Sequence, residues 1–343
     1  MKPQTVEQVF ELLDAAVTSA ALGAALEHRL FWMLADRPRE APDVAGELAI
    51  PMSRCRNWLR LLCTLGFLEE NEGSYQTSER GKSLILDAYT AETWAFLADA
   101  ARRQCPAVID LALHIKEAAS TWDIQGVTPP NYLLKLQRDP EYARRFTRML
   151  YEIHRPLADE LAAIMTVQDA TALLDLGGGS GVMSLALLDR FPGLRATVVD
   201  LDNVCPAGQE IARERGLSDR ITYRVLDYVQ EDLPKGFDRI LCCDTGPYTV
   251  DLFEKVRAAL TPGGRLILVD QFSPAPGIAA VPRLTWAFLG SLENPDSKGF
   301  STAASVISHL EEAGFHEVSL FDVPAKRDVR WETGWQAIEA QVG

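Results

Sequence analysis

Long hydrophobic runs are missing from this sequence. The longest stretch without Asp, Glu, Lys or Arg has thirteen residues, Leu176 to Leu188, and it is rich in glycine. A membrane-spanning helix needs roughly 20 mostly apolar residues, so we expect none. At the N-terminus, Glu7, Glu11 and Asp14 interrupt the segment that a signal peptide would need to be apolar. These features predict a cytoplasmic protein that is not attached to a membrane.

Positive charge is in the minority. The 343 residues carry 34 Lys and Arg against 48 Asp and Glu, which gives a net charge of −14 at pH 7. An acidic surface repels the phosphates of nucleic acids, so we expect no nucleic-acid partner. Hydrophobic residues make up 47% of the chain and charged residues 24%, as in an ordinary globular protein. This length suits one or two domains of roughly 100–200 residues each.

Cysteine pairs and metal-ligand patterns are also absent. The six cysteines include no C-x-x-C pair, and no Cys/His spacing matches a zinc site. We therefore predict free thiols, several of them packed in the core, and no bound metal.

The first part of the chain has a helical pattern. Val6, Phe10, Leu13 and Val17 recur at helical spacing. From residue 43 to residue 77 the sequence predicts two helices and then a β-hairpin, which is the order of a winged helix-turn-helix. The second helix carries three arginines, but the hairpin carries three glutamates, so charge does not favour DNA binding. Further helices are predicted to residue 165, with breaks at Pro106, Pro129–Pro130 and Pro140.

After residue 169, apolar β-type segments alternate with helical ones. Strands are predicted near 170–177, 194–201, 221–227, 237–244 and 264–272, and helices near 181–190, 206–216, 250–260 and 302–313. This alternation predicts an α/β fold with a parallel sheet covered by helices on both faces. Two more strands are predicted within 315–324 and 331–342.

A Gly-rich turn, LLDLGGGSG, joins the first of these strands to a helix. Glycines let the backbone turn sharply and approach a ligand, which the N–H groups at the start of the helix would face. The spacing from Asp175 to Gly181 is D-x-G-x-G-x-G, which matches neither a P-loop nor the G-x-G-x-x-G dinucleotide pattern. The carboxylate of Asp175 suits a cationic group beside the turn and would repel a pyrophosphate.

Acidic residues follow the next two strands as well. Asp200 lies 19 residues beyond Gly181, and an acid at this place can bind both hydroxyls of a ribose. Asp227 could accept a hydrogen bond from an adenine amino group, and Tyr228 could stack on the ring. Each carboxylate taken alone could equally be a loop or cap residue. Together they mark the carboxyl edge of the sheet, where open α/β sheets bind ligands.

These segments resemble the ordered motifs of class I S-adenosylmethionine (SAM)-dependent methyltransferases. LLDLGGGSG, VVDLDNV, the LDY after ITYRV, and LTPGGRLILVDQ are similar to those of the plant-type O-methyltransferase family and its bacterial natural-product relatives, including the bacteriochlorophyllide methyltransferases. HLEEAGF, at 309–315, resembles the late helix of that family, so the resemblance covers nearly the whole chain. It implies a helical and winged-helix dimerisation domain over 1–105, connecting helices that line the acceptor pocket over 106–160, and a Rossmann-like catalytic domain over 161–343.

The resemblance also implies a homodimer, a small-molecule acceptor and SAM as the cofactor. The residues that it places around SAM come from the ends of the first four predicted strands. They are Asp175, Gly177 and Gly179 for the methionine part, Asp200 and Leu201 for the ribose, Asp227 and Tyr228 for the adenine, and Cys242 on the fourth strand.

One family residue is missing from its expected place. In the plant-type enzymes a His just after the fourth strand, in a segment like L-H-D-W, is the general base. Here that strand continues as TGPY, and no His lies between His154 and His309. The candidate replacements are His154, Asp244 and Tyr248. His154 could also be a helix-surface or interface residue, and Asp244 a turn residue.

The predicted function is methyl transfer to a small natural-product molecule, and the family favours O-methylation. The missing His leaves three alternatives: a carbon, nitrogen or acidic hydroxyl acceptor, a different base, or SAM binding without methyl transfer. A rival of another class is a winged-helix regulator with a ligand-sensing Rossmann domain. The acceptor pocket is expected from residues 142–154 and 272–292, where Trp286 and Phe288 could form an apolar wall.

Overall fold

The chain folds into two compact units, Met1–Val108 and Ile109–Gly343. The computed structural model describes residues 3–129, 131–165, 167, 169–273, 281–294, 296, 300–327 and 332–343. Apolar side chains form a separate core in each unit.

The first unit is mostly helical and contains a small three-stranded sheet. Its core gathers large apolar side chains such as Leu30, Phe31, Leu59 and Leu62, all fully buried. Its elements are α1 (Val6–Glu27), α2 (Leu30–Asp36), β1 (Arg39–Glu40), α3 (Ala41–Glu47), α4 (Met52–Thr64), β2 (Leu68–Asn71), β3 (Ser74–Thr77), α5 (Glu79–Gly81), a π-helical turn (Lys82–Leu86) and α6 (Ala91–Val108).

The predicted hairpin is present as β2 and β3, preceded by the two predicted helices α3 and α4. Leu68 pairs with Thr77 at its open end. The turn residues Glu72 and Gly73 both have positive φ, 51° and 84°, as a two-residue type I′ turn requires. β1 pairs with the other side of β3. The sequence does not predict β1, because two residues are too few to show an alternating pattern.

Helix α1 exposes a row of apolar side chains. Val6, Phe10, Leu13 and Val17 are between 57% and 72% exposed. Within the described part of the chain, α1 alone is long and apolar enough to cross a membrane by length and composition. This corrects the expectation that no helix is long and apolar enough to span a membrane, because that expectation considered only runs without charged residues. Length and composition do not distinguish a membrane helix from a helix that packs against a partner.

The second unit opens with helices. Pro140 occupies the first turn of α10, where its missing N–H is harmless, and Asp139 caps this helix by accepting the N–H of Tyr142 at 3.0 Å. The break predicted at Pro140 is confirmed. The break predicted at Pro106 is wrong, because α6 continues through that residue to Val108. The opening helices are α7 (Leu111–His114), α8 (Thr121–Ile124), α9 (Tyr132–Arg138) and α10 (Pro140–Ile164).

Seven strands of the described residues form a sheet, in the order β6-β5-β4-β7-β8-β10-β9. The five predicted alternating strands and their helices are confirmed, and β4 to β8 pair in parallel. The two late strands differ from that pattern, because β10 runs antiparallel between β8 and β9. The elements are β4 (Ala172–Leu176), α11 (Val182–Arg190), β5 (Arg195–Asp200), α12 (Cys205–Glu214), β6 (Ile221–Val225), β7 (Phe237–Cys243), α13 (Val250–Ala259), β8 (Leu260–Asp270), α14 (Val281–Glu293), α15 (Ala303–Glu312), β9 (His316–Asp322) and β10 (Gln336–Gln341).

Helices cover both faces of this sheet. On one face Leu157 and Leu161 of α10 and Leu185 of α11 belong to the core. On the other, Phe253 of α13 and Leu310 of α15 do so. The chain winds outward from β4 through β5 to β6 and then returns to β7 on the other side of β4. The crevice between the carboxyl ends of β4 and β7 is therefore the switch point at which such folds bind ligands.

Candidate functional site

The Gly-rich turn between β4 and α11 has a backbone that only glycine adopts easily. Gly177, Gly179 and Gly181 have φ values of 62°, 56° and 72°. A Cβ on Gly177 would also lie 2.8 Å from Thr245 Cγ2, which is closer than real contacts allow. The predicted importance of these glycines thus has two physical causes, left-handed backbone and close approach of the loop after β7.

Asp175, the penultimate residue of β4, lies beneath this turn. Its side chain is 1% exposed, and a Cβ on Gly178 would fall 2.4 Å from its carboxyl carbon. Oδ2 accepts a 2.6 Å hydrogen bond from Ser184 Oγ, whereas Oδ1 is buried and has no hydrogen-bond partner among the described residues. Burial, and secondarily the charge of Asp200, raises the pKa of Asp175 to about 7. A buried carboxyl in this state would be stabilised as an anion by a nearby cation.

Asp200 joins the end of β5 to the turn. Its Oδ2 accepts the N–H of Gly179 at 2.8 Å, and its Oδ1 accepts the N–H of Leu201 at 2.7 Å. Burial raises the pKa of Asp200, and these two backbone hydrogen bonds act in the opposite direction. The predicted ribose residues Asp200 and Leu201 and the predicted turn residue Gly179 therefore lie together.

The loop after β6 contributes Asp227 and Tyr228. Asp227 is exposed, and its Oδ1 accepts the N–H groups of Val229 and Gln230, so it caps a turn. The Tyr228 hydroxyl lies within hydrogen-bond distance of two carbonyl oxygens, those of Thr245 at 2.8 Å and Gly246 at 3.1 Å. Its ring passes beside Gly177, since a Cβ there would lie 3.3 Å from Tyr228 Cε1. Tyr228 thus connects the loop after β6 to the loop after β7.

The loop after β7 contains the predicted residues Asp244 and Tyr248. Asp244 is exposed and has a left-handed φ of 53°, with its N–H donated to the carbonyl of Val269 at 2.9 Å. Tyr248 is buried, and its hydroxyl donates to Asp270 Oδ2 at 2.6 Å. Burial and then the Asp270 charge hold the pKa of Tyr248 well above its usual range. It therefore stays protonated and acts as a donor at neutral pH.

Cys242 is buried and His154 is partly buried. Cys242 is 1% exposed and belongs to the core beneath the sheet, and burial raises the pKa of its thiol. The His154 ring, on α10, makes an edge-on contact with Trp335, with 5.8 Å between ring centroids. Burial lowers the pKa of His154 to about 4. Such an imidazole is a weak acceptor for the proton of a phenol, whose pKa is near ~10.

Sequence reasoning missed three side chains at this edge. Ser184 and Thr245 contact the site as described above. Tyr132, the first residue of α9, is half exposed, and partial burial and then the charges of Asp244 and Asp200 raise its pKa. Ser184 had a sequence signal, since it is the one polar residue in the first two turns of the apolar helix α11. Tyr132 had none, because it comes from a segment far away in the chain.

The structure describes two residues of the apolar wall that was predicted for the acceptor pocket. Trp286 and Phe288 of α14 are 40% and 45% exposed. Residues 274–280 of the predicted pocket lie outside the described residues. No group of three or more His, Cys, Asp or Glu side chains that could hold a metal ion is found among the described residues.

Comparison with known proteins gives two domain matches and relatives that align with most of the chain. The O-methyltransferase domain matches residues 111–288, and the O-methyltransferase dimerisation domain matches residues 10–87. The N,N-dimethyltransferase OxyT of Streptomyces rimosus is 27% identical over 317 residues, which cover 90% of each chain. The mitomycin biosynthesis 6-O-methyltransferase of Streptomyces lavendulae is 26% identical over 304 residues, covering 85% of this chain and 86% of that one.

A solved structure has the same fold. PigF with SAH superposes with a TM-score of 0.82 at 18% identity, covering 98% of this chain and 99% of that one. The methyltransferase match alone spans more than half of the sequence and includes the Gly-rich turn, Asp200, Asp227 and the loop after β7. The chain therefore belongs to the O-methyltransferase family of SAM-dependent methyltransferases.

Proposed function

We propose that SAM binds across the carboxyl ends of β4, β5 and β6. The observation that carries this proposal is the Asp200 carboxylate, which binds the N–H groups of Gly179 and Leu201 and so joins the ribose position to the Gly-rich turn. Each of its oxygens has a second lone pair for a ribose hydroxyl. Asp175, Gly177 and Gly179 would hold the methionine part, Asp200 and Leu201 the ribose, and Asp227 and Tyr228 the adenine, with Cys242 supporting the sheet below.

The chemistry of these residues suits a cationic cofactor. Within the described part of the chain, Asp175 Oδ1 is buried and accepts no hydrogen bond, and Asp200 is a second carboxylate close enough to raise the pKa of Asp175. A positive charge in this cleft would stabilise both anions. The turn from Gly177 to Gly181 contains no basic residue, so nothing in it favours a phosphate.

The proposed reaction is methyl transfer to a small natural-product acceptor. SAM supplies a methyl carbon that is already activated by a positively charged sulfur. The protein has to align the acceptor with that carbon and exclude water. We place the acceptor beside Asp244, at the end of β7 and next to the switch point. Its carboxylate would take the proton of an acidic hydroxyl, or the proton that an amine acceptor loses after methylation.

O-methylation is the preferred assignment, because both matched domains are those of O-methyltransferases. N-methylation is the alternative supported by a specific observation, since the relative OxyT is named as an N,N-dimethyltransferase. With a carboxylate in place of the family His, an acidic hydroxyl or an amine is a better acceptor than an ordinary phenol. Mass spectrometry with methyl-labelled SAM and candidate acceptors would locate the new methyl group. If the protein binds SAM but yields no labelled product, it binds the cofactor without transferring the methyl group.

Cofactor binding is tested most directly by calorimetry with SAM and with its demethylated product, S-adenosylhomocysteine (SAH). Asp200→Ala is expected to weaken binding by at least tenfold, since it removes both the ribose acceptor and the bond to Gly179. Asp202→Ala is the matched control, because Asp202 is exposed two residues away. The proposal fails if the wild-type protein binds neither compound, or if both variants bind like the wild type.

We also propose that the protein is a homodimer. The dimerisation-domain match covers residues 10–87, which includes most of α1. The exposed apolar row of α1, described above, is a surface that a second copy of the chain would cover.

A further inference from the structure

Helix α9 is attached to the loop that carries the proposed ribose carboxylate. Asn203 Nδ2 donates hydrogen bonds to the carbonyl oxygens of Leu136 at 2.9 Å and Gln137 at 2.8 Å. These carbonyls belong to the last turn of α9, where a helix has no internal donors for them. The next carbonyl back, that of Lys135, accepts the N–H of Asp139 at 2.8 Å. A side chain three residues after Asp200 therefore completes the end of this helix.

Apolar contacts reinforce the attachment. Leu136 and Val204 belong to one buried cluster with Ala143, at 4%, 3% and 0% exposure, and Leu201 packs against it. The loop between β5 and α12 thus holds α9 through both polar and apolar contacts. The end of β5, which would bind the ribose, is therefore connected to α9 through this loop.

Tyr132 is the first residue of α9, at the end opposite to the carbonyls that Asn203 binds. Its ring stacks on Phe146 of α10, with 5.8 Å between centroids and 23° between planes. The charges of Asp244 and Asp200 both act on its hydroxyl, and Tyr132 in turn acts on the hydroxyl of Tyr228. Its side chain is 52% exposed, so it has surface to offer to a ligand. Tyr132 therefore lies near the carboxylates of both Asp200 and Asp244.

We propose that Asn203 is a positioning residue, which holds α9 so that Tyr132 covers the bound cofactor between Asp200 and Asp244. This inference rests on the proposed function, because it assumes that the cleft binds SAM. Tyr132 contacts the cofactor and shields its methyl-bearing end from water. Asn203 touches neither cofactor nor acceptor and acts only through the helix.

A double-mutant cycle on SAH affinity tests this relationship. Asn203→Ala and Tyr132→Ala are each expected to raise the Kd of SAH by roughly tenfold, about 1.4 kcal/mol. If Asn203 acts through Tyr132, the Kd of SAH for the double variant should be about that of the single variant with the higher Kd. Asn203→Asp keeps the shape but replaces the two donors with acceptors, so it should bind no better than Asn203→Ala. Gln209→Ala, an exposed change on α12, is the matched control.

The outcomes separate the two proposals. Absence of SAH binding by the wild-type protein would remove the proposed function itself. Wild-type binding that Asn203→Ala leaves unchanged would overturn the positioning role, even if this variant melts at a lower temperature. Additive losses in the double variant would show that Asn203 does not act through Tyr132. A turnover assay gives a second measure, because loss of the cover should raise the KM for SAM more than it lowers kcat.

Discussion

Tyr248 donates a 2.6 Å hydrogen bond to Asp270, and both side chains are buried. His309 Nδ1 lies 2.8 Å from the carbonyl oxygen of Tyr248, to which it donates. Two contacts thus hold the loop after β7. Its own Tyr248 side chain binds Asp270 on β8, and the side chain of His309 on α15 binds its backbone. This is the segment in which plant-type relatives carry their His, and here its aromatic residue is used to fix the loop.

Tyr248→Phe is expected to lower the free energy of unfolding by about 1–3 kcal/mol, because it removes a donor from a buried carboxylate. Urea unfolding measures the change. In an Asp270→Asn background the same substitution should cost less, since no buried charge then depends on the phenol. Loss of turnover in a Tyr248→Phe variant of unchanged stability would contradict this structural role and indicate that the hydroxyl takes part in the chemistry.

Cofactor affinity is expected to depend on pH through Asp175. Below its pKa of about 7 the carboxyl must release a proton before it can stabilise a cation, so the affinity for SAM should rise from pH 6 to pH 8. The gain is at most about tenfold per pH unit. Calorimetry in two buffers of different ionisation enthalpy measures the released proton directly. Asp175→Asn should bind SAM weakly at every pH and release no proton.

The same group has the opposite effect on the stability of the cofactor-free protein. Its pKa is raised from 3.8, so its stabilising contribution is fully present below pH 3.8 and is lost as the pH rises through about 7. Relative to the wild type, Asp175→Asn should therefore gain stability between pH 5 and pH 8. Denaturant unfolding at these two pH values provides the comparison, and an equal difference at both would mean that Asp175 is already ionised.

His154 is expected to make the fold sensitive to acid. Its pKa is lowered from 6.5 to about 4, so the unfolded chain takes up a proton that the folded chain does not. The contribution is present above pH 6.5 and is lost as the pH falls towards 4, with a slope of at most about 1.4 kcal/mol per pH unit. His154→Phe should flatten that slope in unfolding measurements between pH 7 and pH 5. A His154 variant with wild-type stability but tenfold lower turnover would instead support the role of general base.

Helix α1 provides a test of the proposed dimer. Phe10→Glu with Leu13→Glu should convert the dimer to a monomer in light-scattering measurements, because two charges would be buried in the covered face. Ala15→Glu is the matched control, since at 100° per residue it lies on the opposite side of α1. Sedimentation with lipid vesicles gives the contrary outcome: a wild-type protein that is monomeric and pellets with lipid would contradict the dimer.

The order of strands and helices in the second unit follows from the sequence, because the apolar periods and the Gly-rich turn are local signals. The cluster of Asp175, Asp200 and Gly179 follows as well, since parallel strands bring their carboxyl ends to one edge. The individual hydrogen bonds of these residues do not follow from the sequence. The sequence predicts that Asp175 faces a cation, but it does not predict the bond to Ser184 or the buried oxygen.

Contacts between distant segments are what sequence reasoning could not supply. Asn203 and Leu136 are 67 residues apart, and no spacing rule relates them. Tyr132 precedes the sheet by a whole helix, so its place near Asp200 and Asp244 depends on how α9 packs. Pro106 inside α6 is a different case: the local rule favours a break, and the helix nevertheless continues for two more residues.

The position of β10 has a consequence for synthesis of the chain. Among the described strands β9 pairs with β10 alone, yet it leaves the ribosome first. Until residues 336–341 emerge, the outer edge of β8 has no neighbour, and its apolar residues Leu266 and Leu268 lack a cover on that side. Unpaired apolar edges favour association between chains. A chain that ends between residues 322 and 336 is therefore expected to associate with other chains more readily than the complete sheet does.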